Sequence, residues 1–228
     1  MTFALCATSC VDAQDDSSWL QEFRISERTL VPTGRNDFFI LEPGFQIVLE
    51  GNTGLFGMTN EKLVITVLDE TKMVDGVLTR VVEEREWKND ELYEVARNFF
   101  AIDSTTGDVF YFGEDVDFYN DGKIVGHKGA WLAGKNNANA GLIMPGSQVV
   151  GMKYYQEMAP SIAMDRAEIV SLNEVLETPA GSFSKCLKTK EGTALNLFEK
   201  EYKTYASGIG LIQDQNLLLV KHGFIGEN

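Results

Sequence analysis

Apolar and polar positions alternate over most of the chain, and turn residues interrupt the alternation at short intervals. That period of two predicts β-strands. Residues 62–70 (KLVITVLDE) and 77–87 (VLTRVVEEREW) are rich in β-branched side chains, and Asp75-Gly76 between them is a tight hairpin signal. Asn89-Asp90 leads into 92–103 (LYEVARNFFAID). Thr106-Gly107-Asp108 leads into 109–119 (VFYFGEDVDFY), and Asn120-Asp121-Gly122 into 123–134 (KIVGHKGAWLAG). Residues 135–146 (KNNANAGLIMPG) carry no period and hold Asn, Gly and Pro, which predicts a long loop. A second strand series follows at 147–158, 165–179, 182–191, 194–206, 209–215 and 216–224, with turns at Pro179-Ala180-Gly181 and Gly192-Thr193. Residues 19–28 (WLQEFRISER) read instead as a short helix.

About eleven consecutive antiparallel strands must hide their edges, and curling into a barrel does so. The fold class expected is therefore all-β: a long antiparallel meander curled into a barrel or half-barrel. Because both strand series share one style, residues 19–228 are expected to form a single β domain, with 1–18 as signal remnant and linker.

The length of 228 residues and a hydrophobic fraction of 44% allow a sizeable core. A net charge of −14 argues against nucleic acid as a partner, because phosphate binding needs a basic surface. It disfavours an anionic membrane surface for the same reason. Cationic ligands and metal ions are compatible with it. Three cysteines, an odd number, supply no disulfide framework, and Cys186 in an alternating stretch reads as a buried, inert thiol. At the N-terminus, Ala7-Thr8-Ser9 before Cys10 resembles a bacterial lipoprotein cleavage site, with an acidic, Ser-rich segment behind it. Either Cys10 carries a lipid anchor and the protein is secreted or held at the cell surface, or this is an ordinary terminus. No later run approaches the ~20 apolar residues of a membrane-spanning helix.

Three phrases couple an apolar strand to a glycine turn: LEPGFQIVLEG (41–51), TPAGSFSKCLKTK (178–190) and YASGIGLIQ (205–213). Together they resemble the PG-strand, PAGxF-hairpin and YxPGxG signatures of a family of secreted bacterial β-rich domains of unknown function. Ile47 and Leu49 stand where that family has aromatics, and Ser207 where it has proline. The resemblance spans roughly residues 37–215. It implies a secreted β-domain and carries no activity with it.

No motif of a hydrolase or zinc enzyme is present: GxSxG, HExxH and CxxC are all absent. Of the two histidines, His127 falls in an expected strand and, with a carboxylate such as Glu157, forms the candidate pair for a hydrolase or lyase; His222 lies near the end of the chain. Glu157, Asp165 and Glu168 are carboxylates of one region that could pair. Asp115, Asp117 and Asp121 gather hard oxygens near a turn and are the calcium candidates, with Asp115 and Asp117 on one strand face and Glu114 on the other. A curled sheet can enclose an apolar cavity, and Phe110, Phe112, Trp131, Tyr154 and Met158 are its expected lining. The sequence thus favours binding of a small apolar molecule over catalysis, with the hydrolase or lyase and a structural or adhesive envelope module as alternatives.

Overall fold

A computed structural model of the chain describes residues 18–226. The signal remnant and the Cys10 lipid site lie outside these described residues. Tight turns set the pattern: Asp75-Gly76, Asn89-Asp90 and Asp121-Gly122 each hold both central residues at positive φ, between 48° and 79°. This is the two-residue hairpin geometry whose twist matches that of the flanking strands. In chain order the strands are Leu30–Val31 (β1), Gly34–Asn36 (β2), Phe39–Leu41 (β3), Phe45–Thr53 (β4), Thr59–Val74 (β5), Val77–Lys88 (β6), Glu91–Asp103 (β7), Val109–Asn120 (β8), Lys123–Gly126 (β9), Trp131–Leu132 (β10), Asn139–Met144 (β11), Lys153–Tyr155 (β12), Glu157–Met158 (β13), Asp165–Thr178 (β14), Gly181–Thr193 (β15), Asn196–Ala206 (β16), Gly210–Asp214 (β17) and Leu217–Phe224 (β18).

Neighbours in the main sheet run β12-β14-β15-β16-β17-β18-β4-β5-β6-β7-β8-β11-β13, all antiparallel. Its two ends are consecutive in the chain. β12 pairs with β14 through Tyr154 opposite Ala167, and β13 pairs with β11 through Glu157 opposite Ala140. One short segment, 153–158, therefore bridges the two edges, and the sheet is nearly closed into a barrel with a single unsealed seam there.

The hairpin β2–β3 closes one end of this barrel. Asn36 donates to the carbonyls of Gly107 and Pro145, and the Gly208 amide donates to the Asp37 carbonyl, so the hairpin is tied to turns on opposite walls. Its apolar residues Phe38, Ile40 and Leu41 are buried, and the Phe39 ring meets Phe100 edge-on at 5.3 Å. A second covering element is the N-terminal segment, which lies on the outer face of β7 and β8. β1 pairs with β7. Arg28 is held by Asp103 at 3.1 Å and Asp108 at 2.7 Å. Arg28 and Phe23 both pack on the Phe110 ring.

Four sequence expectations change here, each for a local reason. Residues 19–28 form no helix beyond a single 3-10 turn at Ile25–Glu27. The Leu20 backbone is instead hydrogen-bonded on both sides to Lys153 and Tyr155, and Arg24 sits at φ 48°. The expected loop 135–146 contains strand β11; only Asn136 and Asn137, at φ 50° and 62°, make the turn, and the apolar run behind them joins the wall. The expected strand 123–134 breaks into β9 and β10 around Gly129 (φ 96°), so His127 lies between strands. The stretch 147–158 shortens to β12 and β13, where it crosses the seam.

Phe112 is completely buried. Replacing it by alanine should lower the unfolding free energy by about 3–5 kcal/mol, read from the urea midpoint at unchanged slope. A loss below about 1 kcal/mol would show that this part of the outer face is not packed as described.

Candidate ligand-binding site

Alternation decides what faces the lumen. Val82, Glu84 and Glu86 share one face of β6, and Phe100, Asn98, Ala96 and Glu94 one face of β7. These faces are matched across the ladder, Glu84 opposite Ala96 and Val82 opposite Asn98. These faces border a cavity of about 130 Å³ that is partly open to solvent. Its walls come from opposite sides of the barrel: Ile47, Ile65, Val82 and Phe100 on one, Tyr205 and Leu211 on the other, with Phe39 of the closing hairpin. Glu84, Lys203 and Asp214 complete the lining, so an apolar chamber meets a charged one.

The charged chamber continues along the inner wall. Glu114 stands opposite Asn98 and, on its other side, opposite Trp131. Gly113 makes that second pairing possible: at φ 123°, a β-carbon there would lie 2.2 Å from the Trp131 carbonyl oxygen. Tyr111, opposite Phe100, gives its hydroxyl to Asn98 at 2.5 Å and meets the Trp131 ring edge-on at 5.4 Å. Lys203 is tied to Glu191 at 3.3 Å and to Asp214 at 3.6 Å. Those two carboxylates hold its ammonium well above the ordinary lysine range.

Among the described residues, Lys203 pairs with those two and not with Glu84, Glu114 or Glu157. Each keeps part of its surface in contact with water, yet each is set deep among wall residues. Loss of hydration at that depth raises Glu84 to about 7, with Lys203 pulling it down and Asp214 pushing it up. Glu114 rises to about 8, again mainly by desolvation, with Glu84 adding repulsion. Glu157 is raised by desolvation and then by Asp165 and Glu114. Two buried polar groups face the same chamber without a hydrogen bond of ordinary geometry, the Trp131 Nε1–H and the Tyr154 hydroxyl. The indole is nonetheless close enough to Glu157 to oppose the rise of its carboxyl.

The expected site residues fall in several places. Phe110 and Phe112 are fully buried, but Tyr111 takes the lumen side of β8, so Phe110 lies outward beneath Phe23 and Arg28. The bulge at Gly113 leaves Phe112 beside Phe110 on the packed side. Tyr154 and Trp131 are buried on the charged chamber, and Met158 is half-buried against the core opposite Asn139. None of these five lines the apolar cavity. His127 is exposed, its Nδ1 2.8 Å from Asp117 and 3.0 Å from the Val116 carbonyl, on the outside of β8, whereas Glu157 lies in the chamber. The catalytic pair is thus not assembled. Asp115 pairs with Lys72 at 2.7 Å and Asp117 with His127, and among the described residues no three His, Cys, Asp or Glu side chains gather in a metal-binding arrangement. Asp165 does come together with Glu157, while Glu168 turns to Lys153 at 3.9 Å. Sequence reading passed over Glu84, Lys203 and Asp214. The only signal for them was alternation, Glu84 two positions from Val82 and Asp214 two from Ile212.

Searches against protein-family models, curated proteins and solved structures found no match to this chain.

Because Glu84 and Glu114 titrate near 4.5 when unfolded and near 7 and 8 when folded, the folded chain binds more protons in that window. Their contribution to stability is complete below the unfolded value and is lost as pH rises through the folded values. The urea midpoint of Glu114→Gln should therefore match wild type at about pH 5 and exceed it at about pH 8.5. Equal midpoints at both pH values would place Glu114 in ordinary solvent.

Proposed function

We propose that the protein is a secreted or surface-tethered barrel that binds a small molecule with an apolar body in its lumen and leaves it chemically unchanged. The observation that supports this is the cavity walled from opposite sides of the sheet by Ile65, Phe100 and Tyr205. Its volume of about 130 Å³ compares with the ~150 Å³ cavity that accepts benzene, and falls short of the ~300 Å³ at which drug-sized pockets begin. A single ring or a short branched chain fits; a sterol or a long fatty acid does not. Binding rather than catalysis is favoured because His127 and Glu157 are on different faces of the wall. Export is favoured by the Ala7-Thr8-Ser9-Cys10 pattern and by the resemblance to secreted β-domains.

The test is native mass spectrometry of the purified protein, followed by a thermal-shift screen of neutral single-ring compounds. A ligand at a hundredfold excess over its Kd adds about 2.7 kcal/mol, which for a domain of this size is a shift of about 5–10 °C. Ile65→Trp, which fills the cavity, should remove the shift. Absence of any shift, or a shift that persists in Ile65→Trp, contradicts lumen binding.

A further inference from the structure

We propose that the ligand of this lumen is an organic cation: a protonated amine whose apolar body fills the cavity beside Phe100 and whose ammonium is held by Glu84, Glu114 and Glu157. This rests on the lumen-binding reading above and names the class of molecule that fits it.

Three observations converge on a cation. The first is the unmatched charge. Glu84 borders the apolar cavity, and Glu114 and Glu157 stand farther along the inner wall, where Glu84 acts on Glu114 and Glu114 on Glu157. Lys203 does not neutralise them, because it is within ion-pair distance of Glu191 and Asp214 instead. It also shows how this chamber holds an ammonium, between carboxylates from neighbouring strands.

The second is the buried indole donor. Trp131 is 4% exposed, and its Nε1–H has no hydrogen bond of ordinary geometry but lies close enough to Glu157 to act on its carboxyl. An ionised Glu157 can accept from the indole with one oxygen and from a ligand ammonium with the other, whereas a protonated Glu157 has one good acceptor oxygen for the two donors. Trp131 and Tyr111, packed edge to face with ring centroids 5.4 Å apart, add aromatic surface to this wall.

The third is spacing. No three acidic groups among the described residues close in to metal-ligand geometry. Carboxylates spread along a wall suit a larger cation that hydrogen-bonds to them separately, with its hydrocarbon part in the adjoining apolar cavity.

Proton balance follows. Glu84 is faced by Lys203 and Asp214 from β16 and β17, by Glu94 from β7 and by Glu86 of its own strand. Glu114 is faced by Glu84, Tyr111, Glu94 and Asp165, and Glu157 by Asp165, Glu114 and Lys203. With Glu84 raised to about 7 and Glu114 to about 8, these carboxyls hold protons near neutrality. Binding an ammonium must expel them, so affinity rises with pH and protons are released.

The experiment is isothermal titration calorimetry of the full chain with benzylammonium, benzyl alcohol and benzoate, in two buffers of different ionisation enthalpy, at about pH 6 and about pH 8. Benzylammonium should bind at least ~10-fold more tightly than benzyl alcohol at the higher pH, with proton release, and benzoate should not bind. Glu84→Gln and Glu114→Gln should each weaken benzylammonium by roughly 10-fold and leave benzyl alcohol within about twofold. Benzyl alcohol binding as well as benzylammonium, with both indifferent to the two variants, would overturn the cation assignment and leave lumen binding standing. No binding by either would overturn both. Calcium displacing benzylammonium one for one would overturn it in favour of a metal site.

Discussion

Closure of the sheet is the constraint from which the rest of the structure follows. Once segment 153–158 bridges β14 and β11, every strand of the wall has one face turned into a single shared volume. An acidic residue that would be solvated on an open sheet is then brought against acidic residues from across the barrel. At the end covered by the β2–β3 hairpin that volume is lined by Phe39, Phe100 and their apolar neighbours. Farther along it is lined by carboxylates. Packing and electrostatics therefore meet at Glu84, which belongs to both regions.

The charged half is kept folded by protons and by one lysine. Lys203 reaches Glu191 and Asp214 on the two strands that flank its own, β15 and β17, and locally offsets their repulsion. Glu84, Glu114 and Glu157 lie beyond its ion-pair reach, and their carboxyls are raised because the loss of hydration at that depth outweighs the pull of Lys203, Tyr111 and Trp131. Such groups oppose stability at higher pH. Strongly shifted groups beside a cavity mark a candidate functional site, which is why the lumen rather than the exposed His127–Asp117 pair is read as one.

Much of the fold was legible because strand alternation and turn chemistry are local. Asp75-Gly76 and Asp121-Gly122 announced hairpins, and the two strand series could be followed almost residue by residue. The misread segments were those governed by distant partners. The Leu20 backbone was captured by Lys153 and Tyr155, and the apolar run at 139–144 was taken into the wall by β8 and β13. The site was far less legible. Alternation shows that Phe110 and Phe112 share a face but not which face, and the covering segment with Phe23 and Arg28 turned that face outward into packing. Glu114 was separable from Asp115 and Asp117 by parity. That it meets Glu84 and Trp131 depends on the bulge at Gly113 and on closure, which no local pattern encodes.

The central claim is that closure gathers Glu84 and Glu114 into one poorly hydrated chamber. It is tested most directly by NMR titration of the glutamate side-chain carboxyl carbons, assigned with Glu84→Gln and Glu114→Gln. The account predicts midpoints of about 7 for Glu84 and about 8 for Glu114, with removal of Glu84 lowering the Glu114 midpoint. Both carboxyls titrating near the 4.5 of a free glutamate, each unaffected by loss of the other, would contradict it.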